Sequence, residues 1–444
     1  MHPSLVRRIA TAAAGAQFDQ FTPDVVAKLK LCLLDFLACA FEARDLPWSR
    51  RAAALAARQP GIATILATGQ TASVAEAAFA NAVAGHGLVR EDMHAGSVSH
   101  LGVVVLPTLL ALSQQSRIAG RDFIIAAITG YEAGARLGRA LITPDFARFF
   151  RPTGFTGPIA AACAGSRLLG LDESIFASAI ALAANTTSGL NQWPHEGGEE
   201  MFYHPGFAAR NAVTSIALAE LGAEASDGAL DGPAGLISAY HPADAIPEIT
   251  LFDDVPELLA VYNKPVPACN FAQTPCQAAL SLMAPGQIQA SGIRAIRISA
   301  SYAAIHYPGC DHDGPFRNRL QAKMSIQFGV AAALRFGGVA EANYDDLHEA
   351  EVMRLIGLTT LEVDQGFTAA FPARQGARVE IETADGKLHQ QALADVVPAT
   401  EAEIRARFGA AATDALGRSR AAAIEQFIEK LESAESVGEV LQRG

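Results

Sequence analysis

Two histidines and two carboxylates fall within eleven residues of the stretch Arg90-Glu91-Asp92-Met93-His94-Ala95-Gly96-Ser97-Val98-Ser99-His100. Histidine titrates nearest neutrality, so His94 and His100 are candidate general acids or bases, with Asp92 beside them to orient or assist. The stretch is a Gly/Ser-rich break between two apolar helical patterns, where reactive groups held by rigid elements tend to collect. A plain helix connection would use the same Asp and Ser residues as caps. Further along, Arg151-Pro152-Thr153-Gly154 and Gly157-Pro158 precede a helical run. Glycines there let an anion approach the exposed N–H groups of a helix start, and Arg151 can add a bidentate carboxylate contact. The alternative is a Pro/Gly turn that merely opens a packed helix.

Three other segments carry suitable side chains. His204 stands at the start of a helix after the glycine-bearing stretch 193–203, either as a binding group or as a packed cap. Lys264 leads Pro265-Val266-Pro267-Ala268-Cys269-Asn270-Phe271-Ala272-Gln273, where the helical pattern gives way to a mixed one and a pocket wall is expected. His306-Tyr307-Pro308-Gly309-Cys310-Asp311-His312 offers a phenol before a tight turn, and metal-ligand types at a spacing that no structural zinc site uses. Cys310 as a nucleophile would need His312 or His306 as its base.

The elements that must hold these groups are mostly helical. Residues 22–42 open with Thr22 and Pro23 and then repeat apolar residues at helical spacing. Helical blocks follow at 73–87, 104–116, 121–142, 157–170, 173–189 and 205–222, several of them apolar all round and therefore buried. Strands are expected at Ile293–Ser301 and Ala377–Thr383, the second turning at Asp385-Gly386 into a hairpin partner from Leu388. Helices are expected between them at 318–336 and 345–357, and after Pro398 at 401–408 and 418–433.

The 444-residue chain is 50% hydrophobic and 18% charged, ample for a large core. Its 46 acidic residues outnumber 34 basic ones, and no basic stripe marks it for nucleic acid. The six cysteines form no Cys-x-x-Cys pair. Neither a signal-peptide core nor a run of ~20 apolar residues is present, so a cytoplasmic protein without a membrane span is expected.

Seven runs, taken in order, resemble the MmgE/PrpD family. They lie at 82–102 (AVAGHGLVREDMHAGSVSHLG), 120–141, 151–174, 204–222, 230–240, 264–275 (KPVPACNFAQTP) and 321–334. The resemblance implies a mainly α protein: a large all-α domain (1–263, completed by 399–444) and a smaller α+β lid domain (264–398). It further implies an active site between them, a homodimer, no cofactor, and proton removal next to a carboxylate of a small carboxylic acid. Dehydration, decarboxylation or epimerisation would follow.

Carried over residue by residue, the resemblance matches Asp92, His100, Lys264 and His204 to family positions; together with the reading of the residues themselves, it makes His100 the leading base or acid, with His94 as its alternate. Asp92 assists, Lys264 holds charge and Tyr307 donates a proton. Arg151, His204, Gln273 and Cys310 are expected at the substrate. The chain departs from the family pattern at three places. Arg151 stands where the family has a histidine, Met201 or Phe202 where it has a lysine, and Gln273 where a histidine often occurs. Arginine stays protonated and is a poor base, so position 151 suits a carboxylate anchor. One lysine fewer disfavours citrate-like tricarboxylates. Two other readings remain at this level: a non-catalytic carboxylate binder, and a thiol or metal hydrolase built on Cys310 and His312.

Overall fold

A computed structural model of the chain describes residues 3–240, 248–283 and 288–441. The protein is mainly α with a smaller α+β region. The helix Pro23–Glu42 begins as its sequence dictates, with Pro23 in the first turn, where its missing N–H would be unpaired in any case. Its apolar residues Val25, Leu29, Leu33, Phe36 and Leu37 are all buried. They pack against Val74–His86 and, from the far end of the chain, against Glu401–Leu416.

The helical core centres on Gly120–Leu141 and Pro152–Leu168, which pack closely along their lengths. A Cβ at Gly134 would stand 2.8 Å from the Ala160 Cβ, so that position sets the spacing of the two helices. The second helix starts five residues before the expected 157, because Pro152 occupies its first turn and Pro158 is accommodated inside it. A proline at 158 cannot bond the Gly154 carbonyl. Ser188 N–H takes that carbonyl instead, at 3.2 Å.

The smaller region carries a four-stranded sheet in the order Thr359–Val363, Ile293–Ala300, Ala377–Thr383, Leu388–Leu393. The hairpin expected at Asp385-Gly386 is present, with Gly386 at positive φ. Thr359–Val363, parallel to Ile293–Ala300, is an additional strand. The helix expected over 318–336 is two, broken at Ser325, whose backbone is extended and whose hydroxyl caps Ile326–Phe336 by accepting from Phe328 N–H at 2.9 Å. Among the described residues no helix is long and apolar enough to cross a membrane.

Candidate active site

Five segments meet at one small cavity: the connection after Val74–His86, the start of Pro152–Leu168, the run from Cys269, the turn at Tyr307, and the end of the helix Arg319–Met324. Its walls include Val89, Val98, His100, Arg151, Cys269 and Tyr307, around roughly 10 Å³ of open space. Val89 and Val98 both hold positive φ, at 57° and 50°. A β-branched residue adopts that conformation only where its surroundings impose it, and such strain concentrates at functional sites.

His100 is aimed by its neighbours. Its backbone N–H donates to Thr153 Oγ1 at 3.0 Å. Its Nδ1 lies 2.9 Å from the Asp92 carbonyl and 3.1 Å from Glu91 Oε1. Both partners are acceptors, so Nδ1 carries the proton and Nε2 keeps its lone pair. His86 faces the same carboxylate through Nδ1, and its Nε2 accepts from Arg151 Nη2 at 3.3 Å. Both ring nitrogens of His86 are therefore occupied. The two rings meet edge to face, 5.3 Å apart.

The charges follow from burial. Burial, then Lys264 and Arg151, pushes the His100 pKa well below its ordinary value, so the imidazole is neutral. Burial acts against the Glu91 carboxylate, yet His86, His100 and Lys264 outweigh it and hold its pKa well down. Lys264 falls to about 8, chiefly through burial. Arg151 is 4% exposed, donates to Tyr307 Oη at 3.0 Å, and forms no ion pair with a carboxylate of the described residues. Its Nε has no hydrogen-bond partner among the described residues. Lys264 likewise lacks a carboxylate and donates to the Ala268 carbonyl at 3.1 Å, whereas the other fully buried lysine, Lys323, is paired with Glu341. Two buried cations thus surround one buried anion, Glu91.

The residues expected at the site divide. His100, Arg151 and Tyr307 line the cavity, and Lys264 stands behind it, close enough to act on Glu91 and His100. Asp92 turns its carboxylate away, to the Tyr131 hydroxyl and Gly102 N–H, and orients His100 with its backbone carbonyl instead. His94 is not brought to the cavity. Its ring is held by Ser97 Oγ at 2.8 Å and Glu257 Oε2 at 2.9 Å, and Glu257 is tied to Arg136 and Arg139.

His204 is not among the cavity walls. It packs beside Gly189 and Gly154. Gln273 has no group to spare for a substrate: its Nε2 donates to the Val266, Ala268 and Cys269 carbonyls and its Oε1 accepts from Val266 N–H. It clamps the run that carries Lys264 and Cys269. Cys310 lies behind the wall, its sulfur 3.5 Å from that of Cys269, and burial raises its pKa well above the ordinary thiol. It pairs with Cys269 and not with His312. Among the described residues no group of three or more His, Cys, Asp or Glu is placed to hold a metal ion.

Sequence reasoning missed His86, Cys269 and Arg407. His86 ends an apolar helix with no motif of its own. Cys269 lines the cavity; burial opposes its ionisation, but Cys310, the Phe271 N–H, Lys264 and Arg151 together bring its pKa below the ordinary thiol. Arg407 reaches from the C-terminal helix to hold the Lys264 and Pro265 carbonyls at 3.0 and 2.9 Å. A contact across more than 140 residues leaves no local signal.

Gly102 shows how tightly this frame is built. A Cβ there would collide with the Tyr131 hydroxyl and both Asp92 carboxylate oxygens. Gly102→Ala is expected to destabilise the fold by about 1–3 kcal/mol. The drop should appear in the urea midpoint, with the slope of the transition unchanged.

A neutral imidazole, a phenol and a guanidinium without a carboxylate partner among the described residues thus line one buried cavity between the helices. The chain belongs to the MmgE/PrpD family, whose N-terminal domain matches residues 7–248 and whose C-terminal domain matches residues 266–433. It is 32% identical over 227 residues to cis-aconitate decarboxylase of Aspergillus terreus, a match spanning 49% of this chain and 46% of that protein. The match thus spans about half the length of that curated relative. The cis-aconitate decarboxylase-like protein oryM of Aspergillus oryzae is 27% identical over 94% of this chain and 92% of its own. Human cis-aconitate decarboxylase is 24% identical over 80% and 74%.

Proposed function

We propose that the chain is a lyase acting on a small carboxylic acid, which either removes a proton next to a carboxylate and expels water, or expels carbon dioxide and protonates the carbon left behind. The observation that carries this is Arg151: a buried guanidinium without a carboxylate, lining the same cavity as His100. An unpaired buried charge is costly, and a carboxylate ligand supplies the missing partner. The names of the relatives, cis-aconitate decarboxylases, support the same reaction type.

In this reading Arg151 binds the carboxylate and His100 Nε2 takes the proton from the adjacent carbon. Glu91, against Nδ1, stabilises the imidazolium that forms. Negative charge moves onto the carboxylate, and Arg151, with Lys264 behind it, is preorganised to stabilise it. Tyr307 accepts from Arg151 and keeps its own O–H, raised in pKa by burial, to protonate the opposite side. In dehydration that proton leaves with the hydroxyl as water; in decarboxylation no proton is abstracted first, the electron pair of the breaking carbon–carbon bond stays on the carbon as carbon dioxide departs, and the Tyr307 proton takes the place of the carboxyl group. The cavity has space for no more than about one water-sized group, so an acid enters by displacing the methionines Met93 and Met324 that line it. Unbranched methionine repacks cheaply.

The direct test incubates the protein with cis-aconitate and with simple dicarboxylic acids in heavy water. Deuterium at the carbon next to a carboxylate, or release of carbon dioxide, is expected; neither, with any of these acids, would overturn the reading. A pH dependence follows. Lys264 is cationic below its pKa of about 8 and neutral above it. Affinity for an acid should therefore fall as pH rises through about 8, and Lys264→Met should lose that step in calorimetric titrations.

A further inference from the structure

Beside the reactive cavity lies a second, larger one of about 190 Å³, and the two share Val98, Phe271 and Tyr307 as a common wall. The rest of its lining is dominated by Ile142, Ala147, Ala303, Phe371 and Pro372. Its inner end, at Ala147, Phe271 and Tyr307, is buried, while Thr143, Pro144, Arg148 and Tyr302 are exposed at its mouth. It is thus an apolar passage from solvent to the wall behind which Arg151 and His100 stand. Arg148, His306 and the phenols Tyr302 and Tyr307 are the titratable groups of its lining. Arg148 sits by Phe149, with its guanidinium 5.8 Å from the ring centre, and His306 stacks on Tyr302 and bonds its carbonyl.

We propose that this passage is a substrate subsite for an apolar substituent. The acid that this enzyme takes carries a short alkyl or aryl group on the side away from its reacting carbon. The inference rests on the proposed acid-binding role of the inner cavity and narrows its substrate class. Three observations converge. The inner space gains room only by displacing Met93 and Met324, so the adjoining 190 Å³ is the ready-made space for the rest of an acid. The passage abuts it across three shared side chains, Val98, Phe271 and Tyr307. The one charged group at its far end, Arg148, lies at the exposed mouth, so the depth of the passage offers no partner for a second buried carboxylate. A citrate-like acid would leave a charge against Ile142, Phe271 and Phe371, whereas an alkyl group gains from their contact.

The test is calorimetric binding of succinate and its 2-methyl, 2-propyl and 2-benzyl derivatives to the full chain, without turnover. At roughly 0.8 kcal/mol per buried methylene, affinity should rise about fourfold per added carbon up to propyl. Ala303→Trp fills the passage, and in that variant the ratio of propyl to methyl affinity should collapse towards one. Succinate that binds with no gain along the series would overturn the subsite while leaving the acid site standing, and would leave the apolar wall to another occupant such as a second copy of the chain. A gain that Ala303→Trp leaves intact would also overturn it. If no member binds, the acid-binding role falls and the subsite with it.

Discussion

His100→Asn should cut turnover by about 10²–10⁴-fold, the usual contribution of a positioned general base, and abolish deuterium exchange into the acid. Asparagine keeps a donor near the Asp92 carbonyl and Glu91, so the loop can stay folded, but it offers no lone pair in place of Nε2. Substrate affinity should hardly change, because Arg151 is untouched; the loss belongs to kcat and not to KM. The pH profile adds a second check. Since the imidazole is neutral far below its ordinary 6.5, the wild-type protein should keep its activity as pH falls through 6.5. Activity is lost only where the ring itself takes a proton, so an acid limb centred at 6.5 would point to a different, solvent-exposed base. Full turnover in His100→Asn would remove this residue from the chemistry outright.

Much of this arrangement was legible in the residues. Proline in the first turn and apolar repeats mark Pro23–Glu42, and alternation with Asp-Gly marks the hairpin of Ala377–Thr383, because both signals are local. His100, Arg151 and Tyr307 could be chosen from composition and spacing and do meet at the cavity. The choice between His94 and His100 could not be made that way. Both sit in one loop, and what separates them is Glu257, 163 residues beyond His94, which occupies the His94 ring. The same holds for Gln273 and Asp92. Their side chains look fit for a ligand, but backbone carbonyls and the Tyr131 hydroxyl already satisfy them. Satisfaction of polar groups is a property of packing, and only the fold displays it.

Arg151 is the position where stability and function should move in opposite directions. In Arg151→Gln the affinity for a carboxylic acid should fall about 10- to 150-fold, the equivalent of one charge-assisted hydrogen-bond pair of ~1.5–3 kcal/mol. Yet the ligand-free protein should melt no lower. The wild-type guanidinium has two weak partners, Tyr307 Oη at 3.0 Å and His86 Nε2 at 3.3 Å, an orphaned Nε, and no carboxylate in direct ion-pair contact among the described residues. Removing an uncompensated buried charge offsets the loss of those two bonds. Sites built for an absent charge are held at a cost in stability, and the cost is recovered when the ligand binds. Succinate at a hundred times its dissociation constant should thus stabilise wild type by about 2.7 kcal/mol and the variant far less at the same concentration. Arg151→Lys keeps the charge but cannot span Tyr307 and the acid together, so it should fall between the two. A structural arginine would behave in the reverse manner: Arg151→Gln would melt well below wild type and still bind acid normally. Melting curves with and without succinate separate the two outcomes in one experiment.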